Sequence, residues 1–271
     1  MVDRCIEMKK MIKGFKFYIK LFNVNVRMML SFKADFYIMM ISGVLSELLG
    51  IVFIWVLYQR IPNINGWTMW EILFMYAMVF ITSGIVSVFF EGTWSVASTI
   101  NRGDLDRILL RPIPPLVQIF TLNIGANGLS NLLVGTVLLV QALNNSNVIW
   151  SPAKILLFII MFISAIVIRV SVNIAAAATT FWMKSGGNPI LTLMMNMLEF
   201  SKYPVTIFGK GIQLIIVIII PFAFVGYSPA VWVFKDNLIM GIFSPLVAVY
   251  CLIASNLFFK KGLSRYESSG N

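Results

Sequence analysis

The feature that most constrains this chain is a set of long apolar runs, several of which reach the roughly 20 residues a helix needs to cross about 30 Å of hydrocarbon. They fall at 36–58, 70–90, 116–143, 155–182, within 189–227, and at 238–259. None alternates with period 2, so nothing points to a closed barrel. In hydrocarbon each backbone N–H and C=O must be bonded inside the protein, which leaves helices as the spanning element. Composition agrees: 59% of the residues are hydrophobic and 12% charged, against about 25% charged in a soluble domain. The expected class is an all-α polytopic membrane protein of about six transmembrane helices.

The net charge of +10 is unevenly placed. Residues 1–33 carry eight Lys or Arg against Asp3 and Glu7, and so supply +6 of it. A basic stretch just before a transmembrane helix reads as a cytoplasmic anchor on anionic lipid rather than a nucleic-acid surface. Met11, Phe15, Tyr18, Ile19, Phe22, Val26 and Met29 share one helical face, with Lys9, Lys13, Lys16, Lys20 and Arg27 opposite. An interfacial helix follows. Asn23 and Asn25 interrupt its apolar face, and Phe17 and Val24 its basic one, so it is expected to break or to be partly covered by protein. The division is then an interfacial basic helix at 1–34, a six-helix domain at 35–260 and a short tail at 261–271.

Positive charges set the expected orientation. Fifteen fall on one side (the eight N-terminal ones, Arg102, Arg107, Arg111, Lys184, Lys260, Lys261 and Arg265) and three on the other (Arg60, Lys154 and Lys235). The first side is expected to be cytoplasmic, which gives a multi-pass plasma-membrane protein with both termini inside. The tryptophans agree independently, since all seven fall near expected helix boundaries. The fifth region has two readings. Either 189–203 rises through the membrane and 211–227 is re-entrant, broken at Pro221, or 211–227 is itself the crossing. The second keeps Lys202 and Lys210 inside; the first suits a stretch of only about 16 apolar residues with a proline in it.

Histidine is absent, which excludes zinc hydrolase and Ser-His-Asp chemistry of the usual kinds. No catalytic or metal-binding constellation is expected, and Cys5 and Cys251 lie too far apart in this topology to pair. The richest polar segment is the loop from Arg102 to Pro112. Gly103 permits a sharp turn, Asp104 can cap a helix start, and Pro112 ends the helix about two turns later. Leu105, Ile108 and Leu109 then make an apolar face flanked by Asp106, Arg107 and Arg111. Such a short amphipathic helix suits docking in a groove on a cytoplasmic partner, or else lying on headgroups.

This run, Arg-Gly-Asp-Leu-Asp-Arg-Ile-Leu-Leu-Arg-Pro at 102–112, resembles a motif of a bacterial branch of the type-2 ABC exporter permeases. So do Lys33-Ala34-Asp35-Phe36, Gly66-Trp67-Thr68-Met69-Trp70-Glu71, Glu199-Phe200-Ser201-Lys202-Tyr203-Pro204 and Pro221-Phe222-Ala223-Phe224, in order along nearly the whole chain. The resemblance implies a permease subunit forming half of a translocation path, with residues 102–112 as the coupling helix to a separate ABC ATPase. It also implies a re-entrant segment before the last helix. No G-x-x-x-x-G-K-[ST] occurs, and Lys184-Ser185-Gly186-Gly187 lacks the order of a phosphate-cradling loop. ATP and Mg are thus expected on the partner ATPase and no cofactor on this chain. A second permease completes the implied assembly, a different but related chain being favoured over a second copy.

Polar residues inside the apolar runs are the remaining candidates. Glu47 and Arg169 lie near the middle of the first and fourth spans, where a lone charge costs about 2.5 kcal/mol or more. Mutual pairing is the simplest solution, with Asn173 one turn from Arg169 completing its hydrogen bonds. Asn123, Asn127 and Asn131 recur at i, i+4 and i+8 with Gly128 and Gly135 nearby, which fits interhelical hydrogen bonding at a close contact, or a polar path. Glu199 joins them if the fifth region is embedded. A secondary transporter or channel using Glu47 and Arg169 is the alternative function, although no repeat relates two halves of the chain; a membrane enzyme would need a recognisable acid–base pair.

Overall fold

The computed structural model describes the backbone of residues 2–183 and 187–267, and in the first helix the side chains of Gly14 and of Lys16 onward. Lys184 of the expected inner charges, the run Lys184–Gly186, the side chains of Arg4, Cys5, Lys9, Lys10, Lys13 and Phe15, and residues 268–271 of the tail lie outside it.

Among the described residues, side-chain capping sets the starts of four helices. Helix α1 spans Val2–Ser31 and α2 Lys33–Arg60. Before α3 (Met69–Phe90), the Glu71 carboxylate accepts from the Thr68 backbone N–H at 2.7 Å, the reciprocal half of a capping box. A 3₁₀ turn, Glu91–Ser95, leads to α4 (Val96–Asn101), α5 (Asp104–Leu109) and α6 (Pro115–Phe120). Helices α7 (Asn127–Asn144) and α8 (Pro152–Ala178) follow, the latter started by Ser151, whose hydroxyl oxygen accepts from Lys154 N–H, with Pro152 in the first turn. Asn188 caps α9 (Pro189–Leu198) and Asn237 caps α12 (Leu238–Leu263) in the same way. Between them lie α10 (Lys210–Leu214), extended by a π turn over Ile215–Ile219, and α11 (Tyr227–Lys235).

The protein is all-α and membrane-type, and among the described residues four helices are long and apolar enough to cross a membrane: Lys33–Arg60, Met69–Asn101, Pro152–Phe181 and Leu238–Leu263. Two expected spans are not continuous. The third divides into α6 and α7, with 121–126 irregular between them. The fifth is in pieces. From Asn188, whose amide donates to the Ala176 carbonyl near the end of α8, α9 and the 3₁₀ turn Glu199–Lys202 run to the opposite end, where the Asn65 side chain donates to the Thr206 carbonyl. Residues 210–220 then return until Ile219 and Ile220 lie beside Thr179 and Ile190. The turn at Pro221 reverses the chain again, and α11 climbs until Lys235 donates to the Gly66 carbonyl at 3.0 Å. This is a re-entrant hairpin, with Thr206 at the end away from α1 and Lys202 within the bundle beside Tyr76 and Phe80. The π turn has a local cause: Pro221 has no N–H to continue a helix, and Ile220 N–H reaches back to the Ile215 carbonyl at 2.8 Å.

Two helix pairs, α3 with α7 and α8 with α12, build the bundle. Between helices in lipid there is little hydrophobic driving force, so close backbone approach has to supply the contact. Glycine provides it. A Cβ on Gly84 would stand 2.6 Å from the Gly128 carbonyl, and one on Gly135 2.9 Å from the Ile81 backbone nitrogen. Helix α3 is buried nearly all round and α12 lies largely outside, and α2 buries only Glu47 and Ile54.

Helix α1 does not break. It lies across the end of α3 and α6: Tyr18 donates to the Phe89 carbonyl at 2.8 Å, Phe22 stacks on Phe89, and Asn25 donates to the Thr121 carbonyl at 2.6 Å. Two of the four interruptions in its pattern, Phe17 and Asn25, are therefore contacts with protein. Phe17 meets the Arg111 guanidinium at 5.9 Å, while Val24 is exposed. Burial pushes the Tyr18 phenol up to about 12.

Candidate functional site

Two regions bring chemistry-bearing residues together. At the α1 end, the chain leaves α4 and turns at Gly103, whose φ of +73° is the left-handed conformation glycine adopts without cost. Gly103, not Asp104, occupies the cap position, and Asp104 is the first residue of α5. The six-residue helix is fastened to its own chain. Leu105 and Ile108 are buried inside the protein, and the Gln118 amide donates to the Ile108 and Ile113 carbonyls at 2.9 and 2.8 Å. The expected apolar docking face of Leu105, Ile108 and Leu109 is thus corrected, because residues at i and i+3 face inward and hold the helix down. What faces away is Leu109, 40% exposed, and Leu110, 86% exposed, with Arg102, Arg107, Arg111 and Pro112 also exposed around them. Burial and the Asp106 carboxylate nearby push the Tyr266 phenol above its ordinary range, so the C-terminal segment also abuts this helix.

The second region is a cavity of about 390 Å³ between α2, α3, α7 and the turn Glu199–Lys202. Glu47, Asn127, Asn131 and Glu199 line it together with Ser42, Ser46, Ser83, Ser130 and Lys202. The sequence reading had four of these nine. Lys202 is committed: its ammonium lies 2.5 Å from a Glu199 oxygen and 4.9 Å from the Phe80 ring centroid. Glu199, 60% exposed, marks the open side. Glu47 is 8% exposed, and neither of its oxygens has a hydrogen-bond partner among the described residues.

The expected pairing of Glu47 with Arg169 does not occur. The Arg169 guanidinium donates to the Val79 carbonyl at 3.1 Å, to the Thr82 hydroxyl at 3.3 Å and to the Ser83 hydroxyl. Three oxygens of α3 satisfy it where a carboxylate was expected, because α8 packs on α3 while α2 stands across the cavity. Asn173 does not bond Arg169 either; it is buried, and its Nδ2 has no partner among the described residues. The asparagine stripe is also divided. Asn123 lies in the break before α7 and donates to the Ser95 hydroxyl at 2.5 Å, whereas Asn127 and Asn131 turn into the cavity. Gly128 and Gly135 fulfil the close-contact reading without the asparagines.

The residues missed on α2 had a signal. Ser42, Ser46 and Gly50 recur every four residues, as do Gly43 and Glu47, so one face of an apolar helix is small and polar. A larger cavity, about 740 Å³, lies at the opposite end of the bundle. Its charges are already matched: Lys154 pairs with Asp236 at 2.7 Å and Lys235 with Glu71 at 3.5 Å. It presents no free charge of the kind Glu47 offers.

Among known families, the one described as ABC-2 family transporter protein matches residues 44–270. No curated protein and no solved structure matches the chain.

Proposed function

We propose that this chain, which belongs to the ABC-2 transporter family, is the permease subunit of an ATP-driven exporter and is driven by a separate ATPase docked on α5. The family is one of membrane transport components rather than catalysts, and an ATPase partner follows from membership. ATP and Mg belong to that partner. The α1 end faces the cytoplasm of a plasma membrane, with both termini inside, since the positive charges concentrate there. The N-terminal helix rests on anionic lipid, and a second permease, a different chain in preference to a copy, completes the path. Glu47 lines that path from the middle of α2.

The observation that carries the coupling reading is the exposed pair Leu109–Leu110 on a helix braced from behind by buried Leu105 and Ile108. Two adjacent leucines facing water on a rigid support are costly unless something covers them, and the arginines around them suit the rim of a protein contact. The channel or secondary-transporter alternative would use Glu47 and Arg169 for ion coupling, but Arg169 is held by Val79, Thr82 and Ser83 of α3, which leaves that role to Glu47 alone.

Leu109→Asp tests the reading. A carboxylate pressed into an apolar groove costs on the order of 2 kcal/mol or more in docking, whereas in the free chain the position is open and the fold is unaffected. The variant is expected in the membrane at normal levels, with copurification of the coexpressed partner ATPase lost. Undiminished copurification and transport would remove α5 from the coupling contact.

A further inference from the structure

The cavity beside α2 has a polarity that a generic path does not require. Its serine hydroxyls spend their protons inside the chain: Ser42 donates to the Met39 carbonyl, Ser46 to that of Ser42, and Ser130 to that of Asn127. Only their lone pairs remain for an occupant. The Asn127 and Asn131 amides line the cavity as well and each adds a carbonyl oxygen beside its two N–H donors. Glu47 adds two carboxylate oxygens, buried and unpartnered. Against these acceptors, the ammonium of Lys202 is held by Glu199 and by the faces of Tyr76 and Phe80. Arg169 is held by α3 behind Ser83. An ionised carboxylate at this depth is costly without a counterion; the cation that bears on it, Lys202, does so only through space and is already paired with Glu199.

We infer that this cavity is a cargo site for an ammonium group, with Glu47 as counterion and the serine and asparagine oxygens accepting the ammonium N–H donors. The inference rests on the exporter reading for the word cargo; the site itself does not. A primary ammonium has three donors and no acceptor, and the Glu47 carboxylate with the serine and asparagine oxygens can accept all three. A divalent metal is a poorer fit, since it demands several charged oxygen ligands and no three of His, Cys, Asp or Glu converge among the described residues. A phosphate or sulfate would meet Glu47 directly and be repelled. The substrate class is therefore a compound bearing a free amine, with an apolar body able to lie against Phe80 and the α2 backbone at Gly43 and Gly50.

The test uses the full-length chain in lipid nanodiscs with dansylcadaverine, a fluorescent primary amine, and its N-acetylated form, in which a neutral amide replaces the ammonium. The amine is expected to bind saturably and about tenfold or more tighter than the acetylated probe, as a charge-assisted hydrogen bond implies. Glu47→Gln should erase that preference, and a monodisperse peak on size exclusion shows separately that the variant is folded. Asn131→Leu, which fills the cavity, should weaken both probes. Equal binding of the two probes, or an unaltered preference in Glu47→Gln, overturns the assignment. So does amine binding that vanishes when the second permease is coexpressed, because Glu47 would then belong to that contact. The exporter reading falls separately, on ATPase copurification with the wild-type chain, a measurement that involves neither probe nor Glu47.

Discussion

Helices α2 and α3 are matched in mean hydropathy over their most apolar windows, yet 78% of the window is buried inside the protein in α3 and 11% in α2. The difference lies in the small residues and where they face. On α3, Gly84 meets Gly128 of α7 backbone to backbone, and large side chains such as Phe74 and Met78 fill the space on the other faces. On α2, the small face of Ser42, Gly43, Ser46 and Gly50 borders a cavity, and the apolar remainder, including Leu49 at 72% exposure, points outward. Hydropathy thus reports that a helix avoids water; whether lipid, protein or a second subunit covers it depends on its small and polar residues. In this chain the most exposed spanning helix is also the one that carries the unpaired carboxylate.

Three substitutions bear on this contrast, in descending order of effect. Gly84→Leu drives a side chain into the Gly128 carbonyl and the Leu132 side chain and should cost about 3 kcal/mol or more, read as loss of monodisperse protein on size exclusion. Tolerance of leucine there would mean that α3 and α7 are not in close contact. Glu47→Gln has the opposite sign. Removing an unpartnered buried charge should raise the stability of the isolated chain by about 1–3 kcal/mol, seen as a higher thermal midpoint in detergent. A destabilised Glu47→Gln would reveal a partner for the carboxylate within the chain. Leu49→Ala is the smallest: on the outward face of α2 it should change the stability of the isolated chain by about 0.5 kcal/mol or less. A large loss in the assembled complex but not in the isolated chain would identify that face as the contact with the second permease.

Much of the fold is legible in the residues because membrane helices announce themselves by length and composition. Runs 36–58, 70–90, 155–182 and 238–259 correspond to α2, α3, α8 and α12, and the caps at Thr68, Ser151, Asn188 and Asn237 follow from side chains beside their own backbones. The break at 121–126 was not legible. Apolar character continues across it, through Thr121, Leu122 and Ile124, and an irregular stretch there depends on what surrounds it, as when Asn25 of α1 bonds the Thr121 carbonyl. In the fifth region the charge rule favoured one course and the proline the other. The structure takes the proline's, since Lys202 finds Glu199 and two aromatic rings in place of water.

The sequence by itself determined that this is a helical membrane protein, where its principal helices run, and that a turn at Gly103 opens a short amphipathic helix. All of these rest on interactions within a few residues or on solvent preference, both local properties. Only the tertiary structure decided that Leu105 and Ile108 face inward, so that Leu109 and Leu110 are left exposed. It alone decided, too, that Arg169 is satisfied by Val79, Thr82 and Ser83 of α3 while Glu47 is left facing a cavity. A buried charge demands a partner, but which one it receives depends on which helices adjoin, and two residues at the same depth on different helices can stand on opposite sides of a third.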